Sequence, residues 1–566
     1  MLNLPDEHVP EELHVDADVF EKMKKLKLLK LSGIRPCGHL TYISNELCYL
    51  DWDDYPAKFL PSNFHPKNLV QLRLCHNQIK EISSSIKFLE KLKYLDLGHS
   101  LNLYKTPNLS SLPYLEKLNL EGCKNLIEVH ESIGVHERLV TLDLRNCKNL
   151  RSLTKSIKLE KLKYLNLSGC VKLEKFPEIE GRMNCLQHLD LDETAIKDLP
   201  SSIEHLEGLR GLYLGYCPKL KSIPTDIFSR MKDLESLKMA GTAIEQLPSS
   251  IVQLCKLNWL GLSDLQKWSP KTPNSLVSFS LVRKRTTNYL QLELLSALST
   301  LSCLHLSGSN FSSIPTSLIQ LKCLRHLRLE RCTSLRTLTS LPSSIEHVNA
   351  HGCKSLERYW IPPSGIGPNN RGFRFTECRK LVMDEMENMP NISSQTQLQG
   401  IQWISFPGSE IPQWFRHKSE VEVSSLSLVI DHLSSYNYVK GIAICAVLEI
   451  HDISLIGFDL KINGYGVNWF ENADSYYSSY YWGCKGNHVI LGNVTEYYDE
   501  LSKEYQPIKN LMKKRPKLSP GPPNICDDAS CYIQASVISS YYPGSYCQEM
   551  LKKMGIHLIM EEQGEG

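Results

Sequence analysis

The sequence predicts an α/β solenoid, curved, with parallel strands along its concave side, and a β-sandwich after it. Three observations carry that prediction. One leucine motif recurs at a nearly fixed period through most of the chain. A proline-bearing segment recurs between its copies. Beyond residue 400 the pattern changes to alternating apolar runs separated by Gly, Asn and Tyr, as short strands in a β-rich domain require.

The motif is L-x-x-L-x-L-x-x-C-x-x-L. It reads LEKLNLEGCKNL from Leu115, LVTLDLRNCKNL from Leu139, LKYLNLSGCVKL from Leu162 and LRGLYLGYCPKL from Leu209. Weaker copies start at Leu26, Leu47, Leu69, Leu92, Leu186, Leu234, Leu257, Leu301, Leu324 and Ile345, and all successive starts but one lie 21 to 25 residues apart. That is the period of leucine-rich repeats. The wider step, Leu257 to Leu301, has room for one degenerate copy containing SLVRKRTTNYLQLELL.

In each copy the x-L-x-L-x core is a short strand. Its leucines point inward, and the third and fifth positions face outward along one side. No copy can bury its leucines alone, so parallel stacking makes one continuous, cooperative core. The ninth position turns inward, where a small polar side chain can bond the backbone groups of the turn. Cys123, Cys147, Cys170, Cys217, Cys332 and Cys353 stand there, with Asn77, Ser100, Thr194 and Thr242 in other copies. These cysteines read as structural, not as metal ligands or nucleophiles.

The return path carries LPSSI at Leu199, Leu247 and Leu341, IPTDI at Ile223 and IPTSL at Ile314. Proline lacks a donor and fixes φ, which suits an irregular outer face and not a ladder. Ahead of the repeats, Asp18-x-x-Glu21 reads as a capping box, with Phe20, Met23 and Leu26 on one helical face. Such a helix would cover the open edge of the array. The expected organisation is a capping segment at 1–25, repeats at 26–360, a transition at 361–400 (FRFTECRKL and a helix through Asn388) and the β-sandwich at 401–566.

Composition excludes several classes. A net charge of +2 argues against a general nucleic-acid binder. No run approaches 18 apolar residues, and the acidic first residues lack an apolar signal core, so neither a membrane span nor a secretory leader is expected. The 19 cysteines include no C-x-x-C pair, which points to free thiols in a reducing compartment and to no zinc ribbon. Carboxylate pairs such as Asp190 and Asp192 have no accompanying base, nucleophile or metal motif, so no active site and no cofactor are expected.

With these residues in place, the chain resembles the C-terminal half of plant intracellular immune receptors of the TIR-NB-LRR class. FEKMKKLKLLKL and the segment LTYISNELCYLDWDDYPAKFLPSNFHPKNLVQLRL are similar to that family's entry into its repeats. FPGSEIPQWFRHKSE, Phe406 to Glu420, is similar to the signature of its post-repeat C-JID domain, and HVILGNV and MLKKMGIHLIME to later strands of that domain. The resemblance implies sensing of a pathogen effector, or of a guarded host protein, through the concave face and C-JID loops. It implies a cytoplasmic protein, while the basic run Lys513 to Lys517 leaves nuclear import open. Neither a phosphate loop G-x-x-x-x-G-K-[ST] nor a TIR segment occurs, so no nucleotide switch or NAD cleavage is expected, nor oligomerisation without those domains. An intracellular scaffold for host signalling proteins is the competing reading.

Two sets of residues are candidates for function. On the outward positions, Tyr213, Trp259, His305, His326, Arg328 and His347 make an aromatic and partly cationic set, of the residue types enriched at binding hot spots. In the C-JID signature, Pro407, Gly408, Ser409, Glu410, Ile411, Pro412, Trp414 and Phe415 form a compact block. There Gly and the prolines shape a turn and the aromatics supply buried area, so its role is expected to be structural.

Overall fold

The computed structural model describes residues 15–34, 36–80, 82, 86–244, 247–263, 294–339, 341–359, 371–381 and 401–419. It also describes the strands Ser425–Ile430, Val439–Ile450, Ile456–Ile462, Tyr465–Phe470, Gly486–Asn493, Cys531–Ser539 and Leu551–Met560. The chain falls into two compact units, residues 1–301 and 302–566.

In the first unit each repeat contributes one short strand, from Leu28–Leu31 and Tyr49–Trp52 through Trp259–Gly261, and each pairs in parallel with the next. The register sets equivalent residues side by side. Leu118, Leu142, Leu165, Leu189, Leu212, Leu237 and Leu260 form one file, and all are buried. Each such leucine contributes about 1.5–3 kcal/mol by leaving water, but only once a neighbour covers it.

The ninth-position thiols behave as the repeat pattern requires. Cys123 donates to the Leu97 carbonyl at 3.2 Å, Cys147 to Leu120 at 3.2 Å, Cys170 to Leu144 at 3.2 Å and Cys217 to Leu191 at 3.1 Å. Each acceptor is the second strand leucine of the preceding repeat. Burial pushes the Cys123 and Cys170 thiols up to about 12, so they remain protonated donors and are not nucleophiles. Ser100, Thr194 and Thr242 instead bond a carbonyl of their own repeat.

The turn itself uses a left-handed residue just before that position. Gly122, Gly169 and Gly241 hold it with φ of 67 to 72°, and Asp54, His76, His99, Asn146, Glu193 and Tyr216 hold it with φ of 51 to 60°. The outer path is built of 3-10 turns at Ser201–His205, Ile227–Ser229 and Ser249–Gln253. Pro200 and Pro248 cap the first and last of these at φ of −64° and −58°. The α part of the expected α/β pattern is thus replaced there, because so short a return segment closes more readily with the tighter 3-10 turn.

The N-terminal capping box does not form. The helix is only Val19–Lys22, and Asp18 lies in the helical region (φ −69°, ψ −18°), so its side chain caps nothing. Glu21 instead accepts from the Thr41 hydroxyl. Phe20 is buried and its ring lies 5.1 Å from that of Trp52, while Met23 and Leu26 lie beyond the helix and are half-buried, so the expected three-residue face is reduced to Phe20. Residues 1–14, and residues 264–293 with most of the degenerate repeat, lie outside the described residues.

In the second unit the parallel ladder runs Cys303–His305, His326–Arg328, His347–Asn349 and Arg371–Arg374. The last of these corrects the expected transition. Residues 371–381 form a further repeat in which Phe373 and Phe375 replace leucines and Cys378 donates to the Ala350 carbonyl at 3.1 Å. The helix expected through Asn388 lies outside the described residues. The strand Ile401–Pro407 then pairs in parallel with Arg371–Arg374 on one side and antiparallel with Gly486–Asn493 on the other. Val439–Ile450, Leu551–Met560 and His417–Lys418 extend that antiparallel sheet. A separate antiparallel sheet joins Ser425–Ile430, Cys531–Ser539, Ile456–Ile462 and Tyr465–Phe470.

Candidate partner-binding face

The outward positions of the strands form two rows on each unit, and their chemistry differs from place to place. Near the start of the first unit the fifth-position row is a closed polar network. Asp51 and Asp96 are buried, and Arg73 between them donates to both at 3.3 Å. Asp96 also receives Tyr94 at 2.9 Å, Asn119 at 3.0 Å and the Gly98 amide at 3.0 Å. Asp96 is therefore an internal strut and not an exposed carboxylate. A hollow of about 520 Å³ opens beside it, lined by Gln71, Tyr94, Lys117, Asn119, Thr141 and Asp143.

Further along, Arg145 pairs with Glu121 at 2.7 Å and lies 3.6 Å from Asp143. Lys238 pairs with Asp192. Asp190, whose pKa is raised to about 6 by burial and then by the neighbouring Asp192 charge, accepts the Asp192 amide at 3.0 Å. In the third-position row the rings of Tyr164 and His188 stack 5.1 Å apart. Burial, with Arg210 nearby, lowers the His188 pKa.

The candidates Tyr213 and Trp259 are half-buried here, on the strands Gly211–Tyr213 and Trp259–Gly261. Each ring lies along its own strand over a glycine. A Cβ on Gly211 would stand 2.9 Å from the Tyr213 ring and 2.8 Å from His188 Nδ1, and one on Gly261 would stand 2.7 Å from the Trp259 ring. Those glycines were not among the expected site residues, although a glycine two positions from an aromatic on the same strand face is a readable signal.

In the second unit the rows carry rings and cations. His305, His326, Arg328 and His347 are half-buried. His326 and His347 stack at 5.1 Å, and the next ring in that row is Trp403, 6.4 Å from His347. Gly372 stands between them in register, and a Cβ there would fall 2.4 Å from the indole. Arg374 continues the Arg328 row through Asn349 and ends opposite Ser405. Trp403, Arg374 and Gly372 were missed because no leucine motif marks their strands.

The structure unites His305, His326, Arg328 and His347 on one face, with Tyr213 and Trp259 on the face of the other unit. Among the described residues, no group of three or more His, Cys, Asp or Glu is placed to hold a metal ion. No described helix is long and apolar enough to cross a membrane.

The C-JID signature block folds as a turn. The Phe415 amide donates to the Pro412 carbonyl at 3.1 Å, and Ile411, Pro412 and Phe415 are buried. Trp414 is half-buried, its ring 4.3 Å from that of Phe415. Pro407 and Gly408 are half-buried, Ser409 and Glu410 exposed, and Glu410 is bonded by Lys553 at 2.6 Å. The run Lys513 to Lys517 lies outside the described residues.

Comparison with known families agrees with this architecture. A leucine-rich repeat region matches residues 124–240, and the C-JID domain matches residues 406–565. The disease resistance-like protein DSC1 of Arabidopsis thaliana is 32% identical over 555 residues, covering 87% of this chain and 45% of that protein. The disease resistance protein RPS4 of the same plant is 30% identical, covering 78% of this chain and 36% of its own length. The chain thus spans less than half the length of these relatives. A Leptospira interrogans leucine-rich-repeat protein of solved structure matches 59% of this chain and 92% of its own at 22% identity, with a TM-score of 0.33. Repeats, C-JID domain and similarity over 87% and 78% of this chain to disease resistance proteins support its being the leucine-rich-repeat and C-JID part of a plant disease resistance protein of the TIR-NB-LRR class.

Proposed function

We propose that this chain recognises a protein partner in plant immunity, a pathogen effector or a guarded host protein, through the strand face of its repeats and the loops of its C-JID domain. The observation that carries this reading is the filling of the outward positions. Beside fully buried leucines they hold half-buried Tyr213, Trp259, His305, His326, Arg328 and His347, with glycines making room for the rings. Rigid aromatics and guanidinium groups give large contact area at low entropic cost, as recognition surfaces need.

The two antiparallel sheets of the second unit are assigned as the layers of a β-sandwich. Consecutive residues Ala443 to Val447 are all buried, which supports both faces of that strand being covered. The repeats are taken to run from 26 through the copy at 371–381, and the C-JID domain to span 401–566. The site does its work by binding and not by catalysis, in the cytoplasm or the nucleus, with a protein and neither nucleic acid nor membrane as ligand.

The test is Trp259→Ala combined with Arg328→Glu, measured by affinity for a cognate effector alongside a thermal melt. Affinity should be lost with the melt unchanged, because both side chains lie outside the leucine core. Retained affinity would place recognition elsewhere, and capture of host proteins alone, with and without infection, would favour a signalling scaffold.

A further inference from the structure

Among the described residues, every carboxylate but one in the fifth-position row of the first unit is answered by a cation. Arg73 lies 3.3 Å from both Asp51 and Asp96, and Arg145 lies 3.6 Å from Asp143. Beside the row, Lys238 pairs with Asp192. Asp190 is the exception. Its carboxylate accepts the Asp192 amide at 3.0 Å, and no described Lys, Arg or His stands within ion-pair distance of it.

Asp190 is half-buried and not sealed. Asn166 and Tyr213 flank it in register on the strands to either side, and His188 stands two residues before it on the same face. The His188 ring stacks on that of Tyr164, which is 44% exposed. On the strand before Tyr164, Thr141 and Asp143 belong to the wall of the hollow of about 520 Å³, so open space adjoins the ring pair.

A carboxylate in such a place is costly, since water is partly withdrawn and no cation replaces it. The raised Asp190 pKa expresses the same cost. Burial first and the Asp192 charge second work against ionisation, and Lys238 and Arg145 offset them only from a distance. An asparagine would fill the same place without charge. Neither of those cations is free to fold over onto Asp190, because Lys238 is held by Asp192 and Arg145 by Glu121 at 2.7 Å. Lys117, a further cation of this face, stands three strands before Asp190, roughly 14 Å along the ladder and beyond a screening length. An unanswered anion beside a stacked ring pair is complementary to a cation on a long apolar stem.

We propose that this strip of the first unit's strand face receives an arginine or lysine side chain from a basic segment of the protein partner, its cation pairing with Asp190 and its stem lying against the Tyr164 and His188 rings. The inference rests on the partner-binding reading above and names the partner's chemistry at one place.

The experiment titrates the full chain calorimetrically at pH 7.5 with two probes. One is a short Gly/Ser peptide bearing arginines. The other carries citrullines instead, which keep the shape and lose the charge. The arginine peptide should bind saturably, and the citrulline peptide roughly tenfold more weakly or worse. Asp190→Asn should weaken the arginine peptide roughly fivefold or more, as loss of a charged hydrogen bond does, and should melt at or above the wild-type temperature. Tyr164→Ala should weaken it roughly two- to threefold through the lost stem contact. Glu160→Gln removes an exposed carboxylate elsewhere in the first unit and should leave the affinity unchanged.

Equal binding of the citrulline peptide, or undiminished affinity in Asp190→Asn or Tyr164→Ala, overturns the inference. An equal loss in Glu160→Gln does so too, by showing attraction between net charges without a site. With a cognate effector, unchanged affinity in Asp190→Asn alongside lost affinity in Trp259→Ala with Arg328→Glu overturns this inference and leaves the wider reading standing. The reverse pattern supports the cation site and removes the Trp259 and Arg328 face from recognition.

Discussion

The strand faces of the two units share one backbone grammar and carry opposite chemistry. In the first unit the fifth-position row runs through Asp51, Arg73, Asp96, Asn119, Asp143, Asn166 and Asp190. In the second it runs through His305, Arg328, Asn349, Arg374 and Ser405. The leucines between these positions are interchangeable, and the side chains at them are not. Folding fixes the inward file and leaves the outward rows to other demands. Some of those demands are internal, since Asp96 is bonded on all sides and Lys238 answers Asp192. Charge on such a row cannot be counted as surface until its local partners are subtracted.

If the grammar is shared, the same insult should do the same damage in both units. Leu165→Asp and Leu327→Asp each put a carboxylate where a leucine is 1% exposed. Each should cost about 4 kcal/mol or more, combining the lost burial with an unpaired charge in the core. Urea unfolding of the two variants checks this, and a full-strength transition in either would break the equivalence. Nearest-neighbour coupling predicts that the damage spreads beyond one repeat, which hydrogen exchange across adjoining strands would show.

A smaller but still large loss is expected from Arg73→Met. The methionine keeps most of the volume and removes the cation that bridges two buried carboxylates. Removing one partner of a buried ion pair leaves the others uncompensated, here at about 2–3 kcal/mol. The corresponding cation of the second unit, Arg328, lies on a row of His305, Asn349, Arg374 and Ser405 that carries no carboxylate, so Arg328→Met should cost less than Arg73→Met. Equal losses from the two would show that the second row is structural as well.

Asp190 sharpens the contrast through pH. Its folded pKa is raised from 3.8 to about 6, first by burial and second by Asp192. Because the folded value lies above the unfolded one, the stabilising contribution is full below about pH 4 and is lost as pH rises through about 6. Asp190→Asn should therefore raise stability at pH 7.5, on the order of 1 kcal/mol once partial exposure is allowed for, and the gain should fade as pH falls below 6. Melts of both proteins from pH 4 to 8 measure it. A gain independent of pH would mean that charge is not the cause.

What the sequence disclosed follows from how each feature is encoded. The parallel ladder, its register and the inward thiols were legible because Leu and Cys recur at fixed offsets, and Cys147 and Cys353 sit where the spacing puts them. The repeat at 371–381 was not, because Phe373 and Phe375 fill the leucine positions and break the letter pattern while keeping the burial pattern. Asp18 met the residue rule for a capping box, but that rule contains no φ, and the backbone there is helical. The strands Ile401–Pro407 and Tyr465–Phe470 went unread, the first because its alternation runs directly into the signature turn. On the binding face the rings were legible and the glycines beneath them were not, since Gly211 and Gly261 matter only through the cross-chain distances they permit.

The smallest effect tests the grammar itself, at the turn both units share. The eighth position of the repeats is left-handed among the described residues: Glu193 takes φ 57° and Tyr216 φ 56° in the first unit, Arg331 φ 59° and Glu377 φ 59° in the second, while Gly241 and Gly352 hold it elsewhere at 67° and 71°. A side chain with a Cβ is strained there by roughly 1–2 kcal/mol, and glycine is not. Glycine also gains freedom in the unfolded chain, which offsets about 0.4–1 kcal/mol of that relief. Glu193 is exposed, so Glu193→Gly removes little else. The net expectation is a gain of about 0.5 kcal/mol, read as a small upward shift of the urea midpoint with an unchanged slope. Glu377→Gly relieves the same backbone strain in the second unit but also removes the contacts of a half-buried side chain, so its gain should be the smaller of the two. A clear loss at Glu193 would mean that its side chain steadies the turn.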